Sequence, residues 1–172
     1  MSSSITSLSR IRAIGIDPGL ATSGYAIVET LDRGVRLLNW GSLKTTPKSS
    51  YPDRLMFIYE SFKELLHKWN PFIFVLEDIY VASRFPKASI RLGEILGILK
   101  LCARINGVEI LEIHPTEVKK ALTGYGKASK KDINREVKRI LREDINSSVS
   151  FHQTDAAALA IIGLSRKSVL RW

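Results

Sequence analysis

At 172 residues, 45% of them hydrophobic, the chain is long enough for one domain with a substantial core. Its 26 lysines and arginines against 17 acids leave a formal charge of +9, which favours a polyanionic partner, nucleic acid first and anionic lipid second. No run approaches the roughly 20 apolar residues of a membrane span, no helix reads as strongly apolar on one face and basic on the other, and the single cysteine, Cys102, excludes an internal disulfide and suits a reducing cytoplasm.

Residues 1–10 are Ser-rich and free of acid, a faint likeness to an organelle transit peptide. They lack an apolar signal core and read as a short flexible extension ahead of a single domain over 11–172. Three runs of β-formers follow, at 11–17, 24–30 and 35–43, separated by Pro18-Gly19 and Asp32-Arg33-Gly34, as consecutive antiparallel strands would be. Pro52 then sits at a first helical position, and Leu55, Ile58, Phe62, Leu65, Leu66 and Trp69 recur at helical spacing until Asn70-Pro71. The run 72–76 is continuously apolar, as in a strand buried on both faces, and ends in Glu77.

A longer helix is expected over 87–105. With Ile90, Leu92, Ile95, Leu96, Leu99 and Leu101 it is apolar on more than one side, so it is either enclosed in the core or covered by a partner. A fifth strand at 108–113, a short helix after Pro115, a break at Gly124-Tyr125-Gly126, a basic helix over 129–142 and a last helix over 154–164 complete the chain. In the last helix Ala156-Ala157-Ala158 is small enough for the axis to approach a sheet closely. The pattern β-β-β-α-β-α-β-α-α-α predicts one three-layer α/β domain with a mixed sheet.

Two strands end in an acid, Asp17 and Glu77, and a buried carboxylate must be paired, hydrogen-bonded or metal-bound. Ahead of the last helix, His152 and Asp155 at i, i+3 share one side of its first turn. Each acid has a plainer explanation: Asp17 capping a turn, Glu77 pairing with Arg84, Asp155 facing the helix N-terminus. Together, in so basic a chain, three acids and an imidazole at element ends suit a hard-cation site.

The ordered set Gly15-Ile16-Asp17-Pro18-Gly19 with Ser23-Gly24-Tyr25, Leu76-Glu77-Asp78-Ile79-Tyr80, Arg91-Leu92-Gly93, Val118-Lys119-Lys120, Gly124-Tyr125-Gly126 with Lys130, and Asp155-Ala156-Ala157-Ala158-Leu159-Ala160 resembles the RuvC family of Holliday-junction resolvases over residues 11–164. The resemblance implies an RNase H-like fold, a five-stranded mixed sheet flanked by helices with strands one and four adjacent. It implies that Asp17, Glu77, His152 and Asp155 are the catalytic metal ligands. Many relatives have aspartate at the position of His152, and histidine resembles the pattern of some members. The implied chemistry is hydrolysis with two Mg2+ ions about 3.5–4 Å apart, Mn2+ being able to substitute, which leaves a 5'-phosphate and a 3'-hydroxyl. His67 and His114 read as structural.

Lys119, Lys120, Lys127, Lys130 and Lys131 face the single acid Glu117 between residues 115 and 131. Lys130 and Lys131 lie near a helix N-terminus, where the dipole disfavours cations, so they call for an external partner. Phosphate contact is the reading adopted, with Lys119 and Lys130 matching basic positions of the family, whereas Lys138, Arg139 and Arg142 read as a solvated face. By resemblance Tyr80 is a base-stacking wedge, with Arg84 and Phe85 of the same loop assisting it. A two-fold homodimer would present two sites to a four-way DNA junction, and the helix with Gly93 and Gly97 is the expected interface. Docking of a branch-migration helicase complex is a further expectation that no residue decides. The alternatives are another RNase H-like nuclease acting on RNA or simpler branched DNA, an actin-like ATPase, for which the chain is short and lacks a second Gly-rich loop, and a catalytically silent junction binder.

Overall fold

The computed structural model describes residues 10–78, 86–142 and 149–167. The strands are β1 (Arg12–Asp17), β2 (Thr22–Thr30), β3 (Val35–Lys44), β4 (Ile73–Glu77) and β5 (Glu109–Ile113), and the helices α1 (Tyr51–Trp69), α2 (Pro86–Ile105), α3 (Pro115–Thr123), α4 (Lys130–Leu141) and α5 (Phe151–Arg166). The sheet order is β3-β2-β1-β4-β5. β1, β2 and β3 are antiparallel, while β1–β4 and β4–β5 are parallel, so the sheet is mixed as expected.

The two-residue alternation of the strands sorts side chains onto two faces. Ile14, Ile16, Phe74 and Leu76 meet Ile58 and Phe62 of α1 and Ile95 and Leu99 of α2. Ala13, Ile73 and Val75 meet α5, with Val118, Leu122, Ile133 and Val137 of α3 and α4 outside it. Three layers result, with β1 and β4 at the centre of the sheet buried on both sides.

Local chemistry explains most helix ends. Ser50 caps α1 by accepting from the Asp53 amide, and Asn70 ends it in the left-handed region at φ 43°. His114, read as structural, caps α3 by accepting from the Thr116 amide, and Gly124 closes it at φ 76°. His67 bonds Asn106 on the surface. Ser129 with Asp132 and Ser150 with Gln153 form capping boxes for α4 and α5.

Three expectations are corrected. α5 begins at Phe151, three residues before the predicted start, because Ser150 and Gln153 nucleate its first turn. Phe72 lies before β4 and is 52% exposed, so the apolar run does not open inside the sheet. α2 is not enclosed in the core on all sides: Ile95, Leu99, Cys102 and Ala103 are buried, while Ile90, Leu101 and Ile105 are exposed. Away from the carboxyl ends of β1 and β4, buried Glu29 bonds Arg12 at 2.9 Å and Arg36 at 2.6 Å, tying β1, β2 and β3 together across their register. Residues 1–9 lie outside the described residues.

Candidate active site

β1 and β4 run parallel with Gly15 beside Val75 and Ile16 beside Leu76. That register brings Asp17 and Glu77, the next residues, to the same end of two neighbouring strands. Both share parity with Gly15 and Val75, so both carboxylates project towards α5. The order of the sheet and a period of two are enough to juxtapose them.

α5 supplies the remaining groups because glycine lets it come close. A Cβ on Gly15 would overlap the carbonyl oxygen of Ala156 and the amide of Ala160, and one on Gly24 would overlap the backbone of His152. Gly24 is the register partner of Asp17 on β2, so the first turn of α5 is seated directly beside that carboxylate. Residues Ala156 to Leu164 are all buried, four of them alanines, as a helix held between a sheet and two outer helices requires.

Nδ1 of His152 bonds Oδ2 of Asp17 at 2.5 Å. A neutral imidazole that donates through Nδ1 keeps its Nε2 lone pair for a ligand. Asp155 accepts from Nζ of Lys130 at 3.2 Å, a link between the first residue of α4 and α5 that Asn134 Nδ2 to Thr154 Oγ1 at 3.3 Å repeats one turn along. No donor among the described residues hydrogen-bonds the carboxylate of Glu77.

The electrostatics record the crowding of acids. Burial, then the charges of Asp17 and Asp155, push the Glu77 carboxyl above its ordinary range, and Lys130 and Lys119 offset this only in part. Burial likewise raises Asp155, despite the charge and hydrogen bond of Lys130. Lys130 is in turn raised, chiefly by Asp155. A site of acids that resist ionising together is one that an added cation stabilises.

Two of the three plainer explanations, those for Asp17 and Asp155, do not hold, and the pairing of Glu77 with Arg84 falls on a residue outside the described ones. The turn after β1 is braced by Ser23, whose Oγ accepts from the Gly19 amide at 3.1 Å and donates to the Gly19 carbonyl at 2.8 Å, and not by Asp17. Asp155 lies beyond the first turn of α5, which holds no acid and is already capped by Ser150. Arg84, like Tyr80 and Phe85, lies outside the described residues.

The basic positions divide. Lys130, expected to need an external partner, has an internal one in Asp155. Lys119 is half-buried on α3 and acts on Glu77, whereas Lys120, Lys127 and Lys131 are exposed. Glu117 pairs with Arg166, and Arg139 pairs with Glu136 on its own helix. Sequence reasoning missed the closeness of Lys130 to the acids, since a sequence separation of 25 from Asp155 hides a contact made only when α4 packs on α5.

The donor set fits a divalent cation: three carboxylates and an imidazole, with an ammonium group standing on one carboxylate. Among the described residues no three such side chains form a ready-made cage. His152 bonds Asp17 and Lys130 bonds Asp155, so two of the three carboxylates already have a partner within the chain.

Comparison with known proteins converges on one family. Residues 13–163 match the family model described as "Crossover junction endodeoxyribonuclease RuvC". A protein of that name from Brachyspira hyodysenteriae is 31% identical over 156 residues, covering 91% of this chain and 95% of its own length. The solved structure of Thermus thermophilus RuvC superposes with a TM-score of 0.82 at 29% identity, covering 92% of this chain and 98% of that one. The same organism's RuvC in complex with a Holliday junction substrate gives a TM-score of 0.80 at 28% identity, over 92% and 97% of the two chains.

Proposed function

Because the chain belongs to the RuvC family of crossover junction endodeoxyribonucleases, we propose that it resolves four-way DNA junctions, cutting two strands of like polarity by phosphodiester hydrolysis in recombination and repair. The observation that carries the reading is the meeting of Asp17 and Glu77, through the β1–β4 register, with His152 and Asp155 of α5. Asp17, Glu77, His152 and Asp155 would hold Mg2+, which when bound supplies charge stabilisation for the attacking and leaving oxygens of an in-line displacement. A water molecule adds to phosphorus, the bond to the 3'-oxygen breaks, and 5'-phosphate and 3'-hydroxyl ends remain. The residues themselves orient the strand to be cut: Lys130 and Lys119 place positive charge beside the carboxylates, where phosphate approaches.

Lys120, Lys127 and Lys131 extend this positive surface for the junction arms, and Tyr80, Arg84 and Phe85 are kept as junction-contacting positions on the family resemblance alone. We take residues 11–172 as a single nuclease domain working in the cytoplasm. Among the described residues no helix is long and apolar enough to cross a membrane. A second copy of the chain is the partner proposed for α2, whose Ile90, Leu101 and Ile105 are exposed and whose Gly93 and Gly97 have open space where a Cβ would stand. A two-fold pair would set two sites against the two strands.

The experiment is a substrate panel. Protein with Mg2+ is incubated with a synthetic four-way junction, linear duplex and an RNA–DNA hybrid. Paired nicks in the junction alone support the reading. Cleavage of the hybrid makes the protein an RNA-directed nuclease, and junction binding without nicks makes it a silent binder.

A further inference from the structure

The α3–α4 connection and the start of α5 carry two aromatic rings that the proposed chemistry does not use. Tyr125 is 60% exposed and Phe151 49% exposed. Among the described residues neither stacks on another ring, and the Tyr125 hydroxyl makes no hydrogen bond. The backbone beneath each is fixed. Thr123 Oγ1 accepts from the Tyr125 amide at 3.1 Å, and the Ala128 amide donates to the Tyr125 carbonyl at 3.1 Å. Phe151 is the first residue of α5, between its cap Ser150 and His152, and its carbonyl accepts from Thr154 Oγ1 at 3.0 Å.

Each ring stands close in the chain to a group that acts on the acids. Phe151 and Asp155 stand at i, i+4 on α5, so the ring lies one turn N-terminal to Asp155 on the same face. Tyr125 sits in the connection between α3, which carries Lys119, and α4, which opens with Lys130, and both lysines act on Glu77. The surroundings are cationic, with Lys120, Lys127 and Lys131 all exposed. A protein partner of complementary surface would have to match isolated rings set among ammonium groups. Single-stranded nucleic acid offers that pairing directly, a base face for each ring and a phosphate for each ammonium. Within a duplex the base faces are covered, so the occupant is a strand whose bases have left the stack.

We propose that Tyr125 and Phe151 stack on unpaired bases of the strand being cut and hold it in register with Asp17, Glu77 and Asp155, an inference that rests on the resolvase reading above. The strand is then gripped by base contacts at the α3–α4 connection and the start of α5. Which nucleotide step reaches the acids is set by which bases the two rings take.

The test places 2-aminopurine, whose fluorescence falls on stacking, at successive positions around the cut site of a four-way junction. Fluorescence is read with wild-type protein in EDTA, and single-turnover cleavage is read in Mg2+. Wild type should quench the probe at one or two positions. Tyr125→Leu and Phe151→Leu should lose that quenching and cut about five-fold to a hundred-fold more slowly, the range given by one lost stack. Tyr125→Phe and Phe151→Tyr should keep both properties. Since both rings are exposed, Tm should be unchanged in the leucine variants, which separates lost stacking from lost folding. Wild type that quenches the probe without cutting overturns the resolvase reading and leaves the base contacts standing. Wild type that cuts without quenching at any position, or leucine variants that quench and cut as wild type does, overturn the base contacts alone.

Discussion

Glu77 is the residue at which the cost of assembling the site is concentrated. Its carboxyl is raised by burial and by two neighbouring acids, so its ionisation is disfavoured in the folded chain relative to the unfolded one. The sign follows from linkage: the stability it contributes is complete below the ordinary carboxylate range and is lost as pH rises through the elevated folded value. At neutral pH, without divalent cations, Glu77→Gln should therefore have a higher Tm than wild type, and the gap should close as pH falls below the ordinary carboxylate range. Thermal melts in EDTA across that pH range check this. A lower Tm at neutral pH would mean that Lys130 and Lys119 more than neutralise the acids. His152 separates ligand chemistry from shape. His152→Asp substitutes an oxygen ligand and should still cut junctions in Mg2+ at neutral pH, whereas His152→Ala should be slower by at least about ten-fold. Single-turnover rates of the three proteins at neutral pH measure it.

At the scale of elements, the close seat of α5 on the sheet positions two of the four proposed ligands, His152 and Asp155. Gly15→Ala would drive a methyl into backbone atoms of Ala156 and Ala160, which cannot rotate aside as a side chain could. Overpacking of this kind costs about 1–3 kcal/mol or more. The variant should melt at lower temperature and lose cleavage, read by thermal melts and the junction assay. The sequence disclosed the strands, the helix order and the two strand-end acids, because period-two and period-3.6 patterns survive in the residues themselves. It hid the start of α5, since Ser150 and Gln153 signal a capping box only once they are known to flank a helix. It also hid Lys130 on Asp155, which arises from the packing of α4 on α5. Asp17 and Glu77 were recognisable as strand-end acids, but their adjacency depended on β4 pairing with β1 rather than with β3, which the residues alone do not specify and the family resemblance implied.

For the whole molecule, the chain carries an excess of nine positive charges, and two of its lysines, Lys119 and Lys130, stand beside the three acids that meet at the ends of β1, β4 and α5. Such a surface binds polyanions by releasing counterions, and each phosphate contact adds about one to the slope of log affinity against log salt. Lys119→Ala combined with Lys131→Ala should weaken junction binding and reduce that slope by up to about two, read by fluorescence anisotropy over a salt series. An unchanged slope would make both lysines solvated surface. The exposed stripe of α2 belongs to the same scale, because two copies joined there would turn one pocket into a matched pair.

The central claim is that the acids meeting at the ends of β1, β4 and α5 form one cation-dependent site for cutting junctions, distinct from the surface that binds them. Single-turnover cleavage and binding of a four-way junction by Asp17→Asn in Mg2+ test it most directly. The account predicts loss of cleavage to below a few per cent of the wild-type rate with junction affinity nearly intact. Nicking above that level would remove Asp17 from the site and contradict the account.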